Sequence, residues 1–201
     1  LSLHDALPIW IDPKHVLWVD PTFSVGDLGC YWKSVSSNTT VKLFINFLQA
    51  ADSFSYQQAP NFKLNHLPPE KTCMLSAIVE PLQWVTDHLC KKVHAEKTMI
   101  KKINLSNRVW TLQGESHTYL AKNVVLATGA IPLNLDYPHI PMLPFNVTID
   151  KKRLKEAADT NKTYGVFGSS HSAIIIIQYL VDIGVKKIIN FHRSPCRYAI
   201  N

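Results

Sequence analysis

Cysteine is sparse and scattered in this chain. Its four cysteines, Cys30, Cys73, Cys90 and Cys196, form no CxxC or CxxxxC pair, so neither a redox-active dithiol nor a zinc knuckle is indicated. Nor do they outline a secreted disulfide framework. Long apolar runs are missing too: the longest, Ala173 to Ile177, falls far short of the ~20 residues that span a bilayer. The 21 basic residues against 15 acidic ones give a net charge of +6. The lysines come as scattered pairs (Lys91-Lys92, Lys101-Lys102, Lys151-Lys152, Lys186-Lys187) rather than as a stripe interleaved with aromatics. That argues against a nucleic-acid partner and leaves a modest attraction for small anions. His88 and His94 lack a second ligand at metal spacing, so no metal site is expected. A soluble protein of the reducing cytoplasm is the expectation.

An initiator methionine is lacking as well. Leu1-Ser-Leu-His-Asp-Ala-Leu-Pro-Ile9 resembles a translated sequencing adapter and has no charged n-region of a signal peptide. Residues 1–10 are therefore set aside, with Trp10 as the junction. No helix follows the last strand pattern before Asn201, so the chain is expected to be an internal piece of a longer protein.

What is present centres on residues 163–193. Tyr164 to Phe167 read as a strand, Ser169 to Ile183 as an apolar helix with Gly184 at its C-terminal cap, and Lys187 to Phe191 as a second strand running into His192-Arg193. This is the span of a βαβ unit. In a dinucleotide fingerprint one glycine makes the tight turn, a second admits the pyrophosphate and a third lets helix and strand pack closely. Those places fall on Gly168, Ser170 and Ala173. Ala173 is a common variant. Ser170 crowds the pyrophosphate but has a hydroxyl to donate, and the helix N-terminus supplies an anion site. Arg193 stands where an acid would hold a ribose diol, and an arginine there suits a 2′-phosphate. A buried βαβ without a ligand is the other reading of the same residues.

Upstream, His15 to Val19 form a predicted strand ending at Asp20. That residue is either the acid that meets an adenosine ribose or a turn aspartate before Pro21. Phe23 to Thr40, with Gly26, Gly29, Tyr31, Trp32 and Ser36-Ser-Asn-Thr39, suits a loop closing over a planar ligand or an ordinary surface loop. Asn38 or Thr39 is expected to cap a helix with Val41, Phe44, Ile45 and Leu48 on its core face. Asp52 to Pro69 reads as a long exposed connection. Glu80-Pro81 opens a second helix with Leu82, Val85, Leu89 and Val93 on one face, and His88 and His94 are expected to face solvent. Met99–Ile103, Arg108–Leu112 and Thr118–Leu120 make a predicted antiparallel meander. Lys122 to Pro132 is a predicted buried strand whose Thr128-Gly129 end allows close backbone approach to a ligand. Leu133 to Pro144 reads as a linker, and Asp150 caps a charged helix, Lys151 to Ala158.

Asp20, the Gly26-to-Trp32 loop, Ser37-Asn38-Thr39, Leu126-Ala127-Thr128-Gly129 and Gly168-Ser-Ser-His-Ser-Ala173 stand in the order found in the two-dinucleotide-domain flavoproteins. From Ile11 to Asn201 the chain resembles that family, and within it the flavin-containing monooxygenase-like group that includes the N-hydroxylating monooxygenases. The resemblance implies an α/β fold with two Rossmann-like dinucleotide-binding domains, both incomplete here. An FAD domain with a β-meander would occupy residues 11–133 and lack its first strand and GxGxxG. A linker would follow at 134–149, then an NAD(P) domain at 150–201. Asp20 would bind the FAD ribose; Gly26, Gly29 and Trp32 would line the flavin; Asn38 and Thr39 would lie near flavin and nicotinamide; Thr128 and Gly129 would pass close to FAD. Gly168, Ser169, Ser170 and Ala173 would hold the NADPH pyrophosphate and Arg193 its 2′-phosphate. His171 would either touch phosphate or serve as a surface or capping residue.

The implied enzyme takes hydride from NADPH onto FAD and activates oxygen toward a small substrate. The spaced Phe, Gly and His of the usual monooxygenase fingerprint are not recognisable in the linker. A second reading therefore stops at electron transfer to another acceptor, and a third is a nucleotide-sensing flavoprotein that regulates a partner without turnover. No catalytic acid or base stands out, and homo-oligomerisation is left open.

Overall fold

The computed structural model describes residues 11–130 and 137–194. The adapter-like segment, the end of the expected Lys122–Pro132 strand, the start of the expected linker and residues 195–201 with Cys196 lie outside them. In chain order, a 3-10 turn (Pro13–His15) leads to β1 (Leu17–Val19), α1 (Gly26–Cys30), β2 (Ser36–Thr40) and α2 (Val41–Gln49). Three 3-10 turns (Asp52–Phe54, Tyr56–Gln58, Lys63–His66) precede β3 (Thr72–Met74), α3 (Ser76–Cys90) and β4 (His94–Glu96). Then come β5 (Lys102–Ser106), β6 (Val109–Gln113), β7 (Thr118–Ala121), α4 (Phe145–Thr148), α5 (Lys151–Ala157), β8 (Thr163–Phe167), α6 (His171–Asp182) and β9 (Lys187–Phe191). The fold is mixed α/β. No described helix is long and apolar enough to cross a membrane.

The chain divides into two compact units that interleave in sequence: residues 11–26, 42–66 and 78–130 in one, and 27–41, 67–77 and 137–194 in the other. In the first, β1 pairs in parallel with β4, from Leu17↔His94 to Val19↔Glu96, and β5, β6 and β7 form the expected meander. Leu48 of α2 is fully buried, one result of the 3.6-residue spacing that also places Phe44 and Ile45 on the core side.

In the second unit, β8 and β9 pair in parallel over five rungs, Thr163↔Lys187 to Phe167↔Phe191, joined by α6. Strand alternation sends Val166 into a core with Leu154, Ala173, Leu180 and Val185. The end of α6 is a Schellman motif: the Gly184 amide bonds the Val181 carbonyl and the Val185 amide bonds the Leu180 carbonyl, both at 3.0 Å. Gly184 sits at φ +90°, and Val185 and Leu180 bury the accompanying apolar contact. Asp150 caps α5 as expected, its Oδ1 accepting from the amides of Lys152 and Arg153 at 3.0 Å each.

Several expectations change. His15 belongs to a 3-10 turn rather than to β1, because Asp12 caps that turn ahead of Pro13. Residues 26–30 are helical rather than loop. Asn38 and Thr39 lie in β2 rather than capping α2. The 52–66 connection is not simply exposed: Tyr56 and Leu64 are buried, and Tyr56 packs its ring on Phe62 and Trp84. Helix α3 starts at Ser76, so Pro81 lies inside it. Buried Ile78, Pro81 and Val85 make its core face, and the apolar surroundings that bury Pro81 offset its missing amide bond. His88 is half-buried rather than solvent-facing, stacked on Trp84 at 5.1 Å, while His94 is exposed as expected. Residues 122–130 form no ladder among the described residues, and Leu126 is 67% exposed. That run has the composition of a buried strand but lacks a described pairing partner to bury it.

Candidate functional site

The turn after β8 is built from the backbone outward. Gly168 sits at φ +117°, a region closed to residues with a Cβ, and its amide bonds the Phe191 carbonyl across the ladder at 2.8 Å. A Cβ there would stand 3.6 Å from the Ala173 Cβ, at ordinary contact distance. Ser170 is the N-cap, yet its side chain makes no capping bond. The leading amides of α6 are thus left for another acceptor. Helix α6 runs from His171 rather than from Ser169, with Ser169 and Ser170 belonging to the turn. His171 and Ser170 are exposed. Arg193 is exposed just past the end of β9, at the same end of the parallel pair as Gly168, since Phe191 is opposite Phe167.

One residue the sequence did not flag braces this turn. Asn190 Nδ2 donates to the carbonyls of Val166, at 3.0 Å, and Gly168, at 2.8 Å. The signal was there as a lone amide in an otherwise apolar strand, but its role depends on the parallel register.

A cleft of about 180 Å³ lies in the same unit. Its lining includes Trp32 and Asn38 on one side and His171 and Ser172, in the first turn of α6, on another, with Phe145 and Ile149 between them. Asn38 owes its place to an irregularity: Ser36 pairs with Met74 and Thr40 with Thr72, four steps of β2 against two of β3. The surplus bulges the strand and re-aims its side chains. Buried Ser37 fixes the bulge, its Oγ accepting from the Thr39 amide at 2.8 Å and donating to the Thr39 carbonyl at 3.0 Å. Thr39 turns its own hydroxyl toward Asn38 Oδ1 at 3.4 Å. Gly29 is half-buried within α1. So Trp32, Asn38 and His171 meet in one cleft, while Thr39 supports the bulge beside it.

Asp20, Gly26, Thr128 and Gly129 belong to the other unit. Asp20 ends β1, and its amide bonds the Glu96 carbonyl at the matching end of β4 at 3.3 Å. Its Oδ1 accepts from the amides of Thr22 (2.8 Å) and Phe23 (2.7 Å) and from the Thr22 hydroxyl (3.2 Å), the bonding of a turn aspartate. Its Oδ2 takes no bond from the described residues. The turn holds Phe23 at φ +50°, with Gln83 Nε2 on the Phe23 carbonyl at 2.9 Å and Trp18 edge-on to its ring. At Gly26 (φ +54°) and Gly129 (φ +70°) the position a Cβ would take has no atom within 4 Å. The side chain of that same Glu96 accepts from the Tyr119 hydroxyl and lies 3.4 Å from His117 Nδ1. Its carboxylate pushes the Tyr119 hydroxyl up to about 12. Among the described residues no group of three or more His, Cys, Asp or Glu gathers as metal ligands would.

No protein-family model matches the chain. It is 29% identical over 217 residues to Monooxygenase AgnR1 of Paecilomyces divaricatus, covering 92% of this chain and 54% of that protein. The chain thus spans about half the length of the curated relative it matches. Among solved structures, a thioredoxin reductase from Gloeobacter violaceus overlays at a TM-score of only 0.30 and 13% identity, over 88% of this chain and 62% of that one, too low to bear on the fold. The crystal structure of OTEMO in complex with FAD and NADP overlays at a TM-score of 0.56 and 15% identity, over 90% of this chain and 34% of that one. The chain shares its α/β fold with that part of OTEMO.

Proposed function

We propose that this chain is the dinucleotide-binding part of an FAD- and NADPH-dependent oxidoreductase of the flavin monooxygenase-like kind, acting on a small molecule. The observation that carries the reading is that the uncapped first turn of α6 lines the same cleft as Trp32 and Asn38. A pyrophosphate at the helix N-terminus would place the rest of a nicotinamide nucleotide within reach of that cleft. The name of the 29%-identical relative agrees with it.

The residues present fit such groups. Gly168 leaves the turn free of a Cβ, and Ser170 leaves the helix amides uncapped. Gly26 and Gly129 have open space where a Cβ would be, as residues passing close to a flavin require. In this reading Gly168, Ser169, Ser170, His171 and Ala173 hold the pyrophosphate, and Arg193 pairs with a 2′-phosphate. Asn38 and Thr39 orient the nicotinamide, and Gly29 and Trp32 wall the flavin. Asp20 Oδ2 is the atom left to accept a ribose hydroxyl. When bound, FAD supplies the hydride acceptor and the means to activate oxygen. The chain's own part is to bind and orient the cofactors.

The test is anaerobic addition of NADPH to the complete, flavin-loaded protein. Bleaching of the flavin band is expected, and a band that stays oxidised would sink the enzyme reading. Oxygen uptake tightly coupled to product then separates oxygenation from simple reduction. Arg193→Ala should raise the KM for NADPH about tenfold, the scale of one lost charged contact, and leave that for NADH unchanged. Equal effects on both would remove Arg193 from the 2′-phosphate role.

A further inference from the structure

Two side-chain contacts tie the segment carrying Trp32 to helix α5. Ser34 donates its hydroxyl to Asp150 Oδ2 at 3.1 Å, and the Arg153 guanidinium stands over the Tyr31 ring, 5.5 Å from its centre. The positions matter. Ser34 lies between cleft residues Trp32 and Val35, and Asp150 follows directly on cleft residue Ile149. Backbone bonds already hold the far side of this segment: Leu75 N to the Val35 carbonyl at 2.9 Å and Ser76 N to the Lys33 carbonyl at 3.0 Å. On the near side residues 31–34 are tied to α5 by those two side-chain contacts, through Tyr31 and Ser34, alone among the described hydrogen bonds and ring contacts.

Asp150 is fitted to the task because its two oxygens are divided. Oδ1 is fully used in capping α5, with the Lys152 and Arg153 amides, and Oδ2 points at Ser34. The cap fixes the carboxylate rigidly, and a rigid acceptor can locate a loop that a freely rotating one could not. The same helix turn then presents Arg153 to Tyr31, so one turn of α5 grips two neighbouring residues of the segment.

We propose that Asp150 and Arg153 are positioning residues that clamp Tyr31–Ser34 and so set the distance of the Trp32 wall from the α6 wall of the cleft. Nicotinamide nucleotide affinity then depends on residues that touch no nucleotide. The ligand part of this rests on the function proposed above; the clamp itself does not.

The experiment uses the full chain labelled with 5-fluorotryptophan, whose five tryptophans give separate fluorine resonances, with Trp32 identified by Trp32→Phe. Ser34→Ala removes one contact and leaves the cap intact. Arg153→Met removes the other and keeps the apolar stem. Each should shift or broaden the Trp32 resonance while those of Trp18, Trp84 and Trp110 stay in place, and each should weaken NADP+ binding about fivefold. Asp150→Asn should behave as the parent, since an amide still caps α5 and can donate to the Ser34 oxygen. An unmoved Trp32 resonance in both single variants overturns the clamp. So does a Trp32 resonance that moves while the Kd for NADP+ stays within twofold of the parent. If the parent binds no NADP+ yet its Trp32 resonance answers to Ser34→Ala and Arg153→Met, the clamp stands and the nucleotide reading falls.

Discussion

Two parallel strand pairs carry residues of the proposed nucleotide sites, and they are encoded in opposite ways. β8 and β9 are joined by one helix, and everything that shapes the pair is within that stretch: the turn at Gly168, the close approach of Ala173, the Schellman end at Gly184 and the Asn190 brace. β1 and β4 make the same kind of pair with three rungs instead of five, but Leu17 finds His94 only after three helices and three 3-10 turns have been placed between them. The first is a product of local rules, and the second exists only once the unit around it has formed. The difference should appear in how each pair responds to substitution.

The largest effect is expected from Leu180→Ala. Leu180 is 2% exposed and packs in the core that α6 shares with Val166 and Val185, so the change should cost about 2–5 kcal/mol. Val19→Ala, at the half-buried end of β1, should cost about 1 kcal/mol. Urea midpoints measure both. Equal losses would mean that the shorter pair is as deeply embedded as the longer.

Next come the two turn glycines. At Gly168 a Cβ would meet ordinary contact and at Gly26 none at all, so space decides neither case and the backbone decides both. The φ of +117° at Gly168 lies outside the small left-handed region, and Gly168→Ala should cost about 1–3 kcal/mol. Gly26, at φ +54°, lies within that region, and Gly26→Ala should cost roughly 1 kcal/mol. A reversal of that order would show that the β8 turn relaxes easily, and the tight-turn account of Gly168 would fail. Asn190→Ala should cost about 1–2 kcal/mol for two lost bonds and hasten hydrogen exchange at the Gly168 amide, which bonds Phe191 beside it. Unchanged exchange there would remove Asn190 as the brace.

The same contrast explains what could be read from the sequence. The β8–α6–β9 stretch, the Asp150 cap, the meander and the core face of α2 follow from period, turn and cap signals within a few residues of one another. β3 could not be foreseen: Thr72-Cys-Met74 has no strand pattern and becomes one by pairing with a bulged β2. Residues 122–130 went the other way, a strand composition without a described partner. Pro81 looked like a helix start because proline normally is one, and burial against the core let α3 extend past it. In the site, Gly168, Ala173 and Gly184 were legible as backbone requirements. The meeting of Trp32, Asn38 and His171 in one cleft, and the Asp150–Ser34 contact, join distant parts of the chain, and no local rule encodes them.

Acid should separate the two regions by small steps at different pH. In the unit that holds β1, burial holds His88 below its ordinary value of 6.5, with Lys92 and Lys91 adding to the effect, and its buried Nε2 has no partner among the described residues. Since the folded state binds the proton less readily than the unfolded chain, His88 contributes no penalty above about 6.5, and stability falls as pH drops below that value. In the unit that holds β8, Asp150 is held low chiefly by the Arg153 amide, and Asp182 chiefly by Lys151. Their contribution is present above the ordinary 3.8 and is lost only as pH falls through their depressed folded values. Urea midpoints from pH 8 to pH 3 should therefore decline first near 6.5 and again below about 4. His88→Phe, which can keep the stack on Trp84, should abolish the first decline and leave the second. If the decline near 6.5 survives in His88→Phe, the acid-sensitive group lies elsewhere, and the half-buried imidazole of α3 carries no pH dependence of its own.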